Sequence, residues 1–138
     1  LLLGSAALPA AAQYDDSANI NAAFQAGKAS GVTPQTTRET WSCAAFWFVW
    51  SEFVEDEFGE AMRAKLDPAL AKPAALEAAS HWESAATAHL GMAELDPETR
   101  TFVDQQVALA WMMGEGIAMG EDYDFADILG SCAVSVSE

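Results

Sequence analysis

Apolar residues recur along most of the chain at the spacing of amphipathic helices rather than at the alternation of strands. β-branched residues are few, and nowhere do they alternate cleanly with polar residues over a useful length. The pattern predicts an all-α protein, a small bundle of four to five helices.

The first helix is short. It is predicted from Asp15 or Ser17 to about Ser30, and Gly31 is placed to end it. A proline-containing loop then leads towards a much longer second helix.

The second helix is the most apolar part of the chain. Thr36 or Thr37 can cap it, and Glu39 lies where the reciprocal bond of a capping box requires it if Thr36 is the cap. From Cys43 to Trp50 the helix is apolar on every side. We therefore expect neighbours to bury it from several directions.

Two prolines separate the second helix from the third. The second helix should end near Gly59 or Leu66, and Pro73 suits the first turn of a third helix that runs to about Gly91. The predicted apolar stripe of this third helix consists of Leu76, Ala79, Trp82, Ala86, Leu90 and Ala93.

The last part of the chain carries a fourth helix and a short helical turn. Asp96 is a natural cap for the fourth helix. Near its end, Gly114, Gly116 and Gly120 indicate close backbone packing or a break in the helix. Gly130 is expected to end the final turn.

Composition limits the class of protein. The 138 residues fit one domain, and 51% hydrophobic residues allow a sizeable core. With 21 acidic against 6 basic Lys and Arg residues, the formal net charge of −15 argues against binding to nucleic acid or to an anionic membrane surface. Such acidity either favours solubility or attracts a basic partner or a cation.

The N-terminal residues indicate export. Residues 1–12 have the composition of the remnant of a signal peptide, with Ala10 and Ala12 suited to cleavage before Gln13, and residues 13–138 then form a single helical domain. The alternative is an ordinary apolar helix at the N-terminus. No membrane span is expected in the mature part, because its most apolar stretch is far shorter than the ~20 residues that a bilayer requires. The predicted location is periplasmic or secreted.

The two cysteines fit that location. Cys43 and Cys132 are predicted to form a disulfide that ties the C-terminal segment to the second helix. Closing so long a loop is worth about 4.6 kcal/mol in the chain-entropy model. Two buried thiols, or a bridge between the chains of a dimer, are the alternatives.

One candidate chemistry is a metal site inside the bundle. Glu52 and Glu115 interrupt apolar stretches of the second and fourth helices, and His89 can point inward from the third. Buried carboxylates need a partner, and a metal ion is one. In the alternative, the two glutamates lie on the surface. A copper variant would use the methionines Met92, Met112, Met113 and Met119.

The aromatic residues suggest a second candidate. Four tryptophans could line an apolar pocket or an interface with a partner: Trp47, Trp50, Trp82 and Trp111. The alternative is that they fill an ordinary core.

Enzyme motifs are lacking: we find no phosphate-binding glycine loop, nucleophile elbow or zinc-binding spacing. The sequence predicts an exported, non-enzymatic binding or accessory factor without a cofactor, which binds a protein partner, a second copy of itself or a small apolar ligand. A metal-binding bundle that uses Glu52, His89 and Glu115 is the alternative function.

Overall fold

The structure is a computed structural model that describes residues 15–88 and 95–134. The predicted signal-peptide remnant at residues 1–12 and the cleavage position before Gln13 lie outside the described residues, and so does His89. These assignments stay predictions.

The described residues are helical and contain no strand, which confirms the predicted fold class. Six α-helices and one 3₁₀ turn are present there: α1 (Ser17–Ala29), α2 (Thr37–Glu57), α3 (Glu60–Lys65), the 3₁₀ turn (Pro68–Leu70), α4 (Lys72–Thr87), α5 (Pro97–Ala118) and α6 (Asp124–Ser131).

Helix α2 is the centre of the fold. Thr36 caps it, and the capping box with Glu39 is complete. Helices α4, α5 and α6 all pack against it. From Cys43 to Trp50 every side chain is buried except Phe48, which is 45% exposed. The prediction that this helix is buried on several sides is confirmed.

Helix α2 ends at Glu57 because Phe58 adopts an extended backbone. The short helix α3 follows, and its side chain Arg63 donates hydrogen bonds to the carbonyl oxygens of Glu55 and Phe58. Carbonyls at the end of a helix lack partners within the helix. Arg63 therefore stabilises the break between the two helices.

The predicted disulfide is present within one chain. Cys43 and Cys132 are bonded, with their Cα atoms 5.5 Å apart and a sequence separation of 89. The C-terminal segment is thus tied to α2, as the sequence predicted.

Helices α1 and α6 cross at two glycines. A Cβ atom on Gly27 would lie 2.0 Å from the carbonyl oxygen of Asp127, and one on Gly130 would lie 2.1 Å from that of Phe24. The prediction that Gly130 ends the last helix is wrong: α6 continues through it to Ser131. Gly130 is required because the two backbones touch, which sequence patterns do not reveal.

We expect Gly130→Ala to lower the free energy of unfolding by about 1–3 kcal/mol, because the added methyl group must push the two helices apart. Urea denaturation of the variant measures this loss. Gly59→Ala is the matched control, since no atom lies within 4 Å of the added carbon there. A loss no larger than that of the control would show that the helices separate at little cost.

Helix α4 matches its predicted apolar stripe in part. Ala86 is buried, and Ala79 and Trp82 are half-buried, whereas Leu90 and Ala93 lie outside the described residues. The buried residues of α4 are Ala75, Ala78 and Ala86. Leu76, which headed the predicted stripe, is 43% exposed. The small alanine side chains on this face allow α4 to lie close to α2, against which it packs, and Leu76 lies on the surface.

The glycines in and just after α5 match the prediction of close backbone packing or a break in the helix. A Cβ on Gly114 would lie 2.8 Å from the ring of Phe53, so this glycine allows α5 to approach α2 closely. The helix ends at Ala118, and Gly120 has a φ of 69°, which favours glycine.

Candidate functional site

The four tryptophans singled out from the sequence take different positions. Trp47 and Trp50 are fully buried, whereas Trp82 and Trp111 are half-buried. Trp50 and Trp111 both contact Phe53 and belong to the aromatic core. Trp47 also lines a cleft between α1 and α4.

Three of the indole N–H groups are bonded to backbone carbonyls. Trp47 and Trp82 donate to the carbonyl oxygen of Cys132 at 2.8 and 2.7 Å, and Trp50 donates to that of Leu70 at 2.8 Å. Buried donors need such partners. Two hydrogen bonds and a disulfide therefore meet at Cys132 and hold the residues that follow it.

Those residues, Ala133 and Val134, form one wall of the cleft between α1 and α4. The cleft has a volume of about 690 Å³ and lies between α1, α2, the 3₁₀ turn, α4 and the C-terminal segment. Its apolar lining includes Phe24, Trp47, Pro68, Ala78, Ala133 and Val134. We call it the α1/α4 cleft.

Two charged side chains line the α1/α4 cleft, Lys28 from the last turn of α1 and Glu77 from α4. Both residues are exposed. The cleft therefore combines an apolar interior with one positive and one negative group in contact with solvent. Such a site can hold an apolar molecule and orient it by one polar end.

A second concavity, the α2/α5 groove, has a volume of about 410 Å³ and is formed by α2, α4 and α5. Trp41, Phe48 and Leu76 line it. Trp41 is only 5% exposed, and its indole N–H has no hydrogen-bond partner among the described residues. The groove thus places an unpaired donor beside two exposed apolar side chains.

Two of the three predicted metal ligands lie on the surface. Glu52 on α2 and Glu115 on α5 are both exposed. Among residues 15–88 and 95–134, no three His, Cys, Asp or Glu side chains are close enough to hold a metal ion. Because His89 lies outside these ranges, the three-ligand site stays a prediction.

The structure places two of the methionines proposed as copper ligands on the surface. Met112 and Met119 are 66% and 65% exposed, and Met92 lies outside the described residues.

Sequence reasoning missed most of the α1/α4 cleft. It found Trp47, but not Lys28, Glu77 or the C-terminal wall. These residues come from segments far apart in sequence, and no local motif joins them. The one available signal was the disulfide, because it predicted that the C-terminal segment lies against α2.

Helical bundles serve many unrelated functions, so only the chemistry of these surfaces bears on what the protein does. In comparisons with known proteins, no protein family, no curated protein and no solved structure matches this chain.

Proposed function

We propose that this is an exported, non-enzymatic binding protein and that the α1/α4 cleft holds a small apolar ligand. The observation that carries the proposal is the cleft itself: its volume of about 690 Å³ and its mainly apolar lining are typical of ligand pockets. The few polar groups at a pocket of this kind orient the ligand.

The way the cleft is built supports this proposal. Its C-terminal wall, Ala133 and Val134, follows Cys132 directly, where the disulfide and two indole hydrogen bonds fix the backbone. A wall that is ordered before binding spares the ligand the entropic cost of ordering it. The disulfide thus contributes to binding as well as to stability.

The disulfide also bears on the compartment. Disulfides persist in oxidising environments, so Cys43–Cys132 fits such a compartment. Together with the predicted cleavage before Gln13, it supports a periplasmic or secreted location. Separately, none of the helices in the described ranges has the length and hydrophobicity needed to cross a membrane.

A cleft-filling variant tests the proposal. Ala74 and Ala79 are both half-buried on α4, but Ala74 lines the α1/α4 cleft and Ala79 lines the α2/α5 groove. We expect the neutral apolar dye N-phenyl-1-naphthylamine to bind the wild type, and Ala74→Phe to weaken binding by about tenfold or more, because the ring occupies the cleft. Fluorescence titration measures the affinity.

Ala79→Phe is the matched control, and it should change the dye affinity by less than about twofold. Absence of binding to the wild type would overturn the proposal. Loss of binding in Ala79→Phe alone would move the site to the α2/α5 groove.

A second candidate is a protein partner that docks on the α2/α5 groove. Phe48 and Leu76 are 45% and 43% exposed there, next to the unpaired N–H of Trp41. A second copy of the chain is disfavoured as that partner, because each copy carries a formal charge of −15. A basic partner would meet no such repulsion.

A further inference from the structure

The basic side chains of this acidic protein are almost all engaged. Three of them form ion pairs with carboxylates: Arg38 with Glu98, Lys65 with Asp15, and Lys72 with Glu55. Arg63 and Arg100 instead donate to backbone carbonyl oxygens. Lys28 is the exception: within residues 15–88 and 95–134 it has neither an ion pair nor a hydrogen bond.

Lys65 shows how a lysine of this protein stabilises a carboxylate beside it. Its ammonium group lies 2.6 Å from the carboxylate of Asp15. That hydrogen bond, with help from Ser17, lowers the pKa of Asp15 to about 2. A carboxylate placed beside Lys28 would gain an interaction of the same kind.

Lys28 is also held at the α1/α4 cleft. Its Nζ atom lies 5.5 Å from the centroid of the Phe24 ring, within the range of a cation–π contact. Phe24 and Lys28 both line the cleft. Among the described residues, Lys28 is the one basic residue that does so. Lys28, the one lysine without a carboxylate partner within residues 15–88 and 95–134, therefore lies beside the apolar wall of the α1/α4 cleft.

From this placement we infer that the ligand of the α1/α4 cleft is an apolar carboxylate, with its chain against Pro68, Ala74 and Val134 and its carboxylate paired with Lys28. The inference rests on the proposed function and adds the class of ligand. An aliphatic or aromatic monocarboxylic acid meets the requirement, because it presents one charge and one apolar body.

The acidic character of the protein opposes an anion only weakly at this position. The formal charge of −15 is spread over the chain, and salt screens charges beyond about 8 Å at physiological ionic strength. Within residues 15–88 and 95–134, Glu77 is the one acidic residue that lines the cleft. Its effect on an anionic ligand can be tested directly.

The experiment compares decanoate with decanol, which share the same chain and differ in the charge of the head group. Isothermal titration calorimetry at physiological ionic strength should show that the wild type binds decanoate about fivefold more tightly, which is the upper range for a solvent-exposed ion pair. Lys28→Gln should abolish this preference without weakening decanol. Lys65→Gln removes a lysine outside the cleft and should keep the preference.

Glu77→Gln provides a change of opposite sign. Removing the like charge should tighten decanoate binding by about twofold and leave decanol unchanged. Equal affinity of the wild type for both ligands, or a preference that survives Lys28→Gln, would overturn the inference while leaving the apolar cleft in place. If neither ligand binds, the proposed function itself fails.

Discussion

Replacing both cysteines with alanine is expected to lower the free energy of unfolding by about 4.6 kcal/mol, the largest effect we predict. The bond between Cys43 and Cys132 closes a loop across a sequence separation of 89 residues. Without it, the unfolded chain gains the conformational freedom that the loop had removed. The native fold loses little in contacts, because the carbonyl of Cys132 keeps its hydrogen bonds from Trp47 and Trp82.

Urea denaturation of the double variant, beside the oxidised and the reduced wild type, measures this effect. The reduced wild type should unfold close to the double variant, since both lack only the crosslink. A loss below about 1 kcal/mol would contradict the chain-entropy explanation. Dye binding in the α1/α4 cleft should weaken in parallel, because Ala133 and Val134 are then held by hydrogen bonds alone.

Trp50→Ala is expected to cost about 3–5 kcal/mol of stability. Trp50 is 0% exposed and packs against the rings of Phe53, Phe58 and Phe125. The substitution leaves a large cavity in the aromatic core. It also leaves the carbonyl oxygen of Leu70 without the indole N–H that it accepts at 2.8 Å.

Phe48→Ala is the control for Trp50→Ala, since Phe48 lies on the same helix but is 45% exposed. The variant should lose less than about 2 kcal/mol, because nearly half of the Phe48 side chain stays in contact with solvent in the folded protein. Thermal and urea unfolding of both variants give the comparison. An unchanged midpoint for Trp50→Ala would show that this core tolerates the loss of its central ring.

Local patterns predicted much of the fold correctly. Thr36 and Glu39 form the expected capping box, and Asp96 accepts the expected hydrogen bond from the backbone N–H of Thr99. These features depend on residues three positions apart, so the sequence displays them directly. The continuous apolar run of α2 likewise indicated a central helix, since only a helix surrounded by others can bury every face.

The disulfide was also predictable, although its two cysteines are far apart. With two cysteines in the chain, one intramolecular pairing exists, and the predicted export made it favourable. The pairing then implied that the C-terminal segment lies on α2.

What only the tertiary structure decided concerns how helix surfaces meet. Gly130 had the appearance of a helix terminator, but it lies inside α6 because the carbonyl oxygen of Phe24 occupies the space of a side chain. Leu76 had the appearance of a core residue, but α4 presents its alanines to α2 instead. Helical periodicity shows which residues share a face and not how closely the neighbouring helix approaches.

The same distinction, between local sequence patterns and tertiary packing, applies to the candidate binding site. The sequence by itself determined the all-helical class, the caps of α2 and α5 and the crosslink, because each follows from local spacing or from a single pairing. The α1/α4 cleft and the position of Lys28 beside it were decided by the tertiary structure alone. A cleft is the space left where several segments fail to fill a volume, and that volume exists only once the segments have packed together.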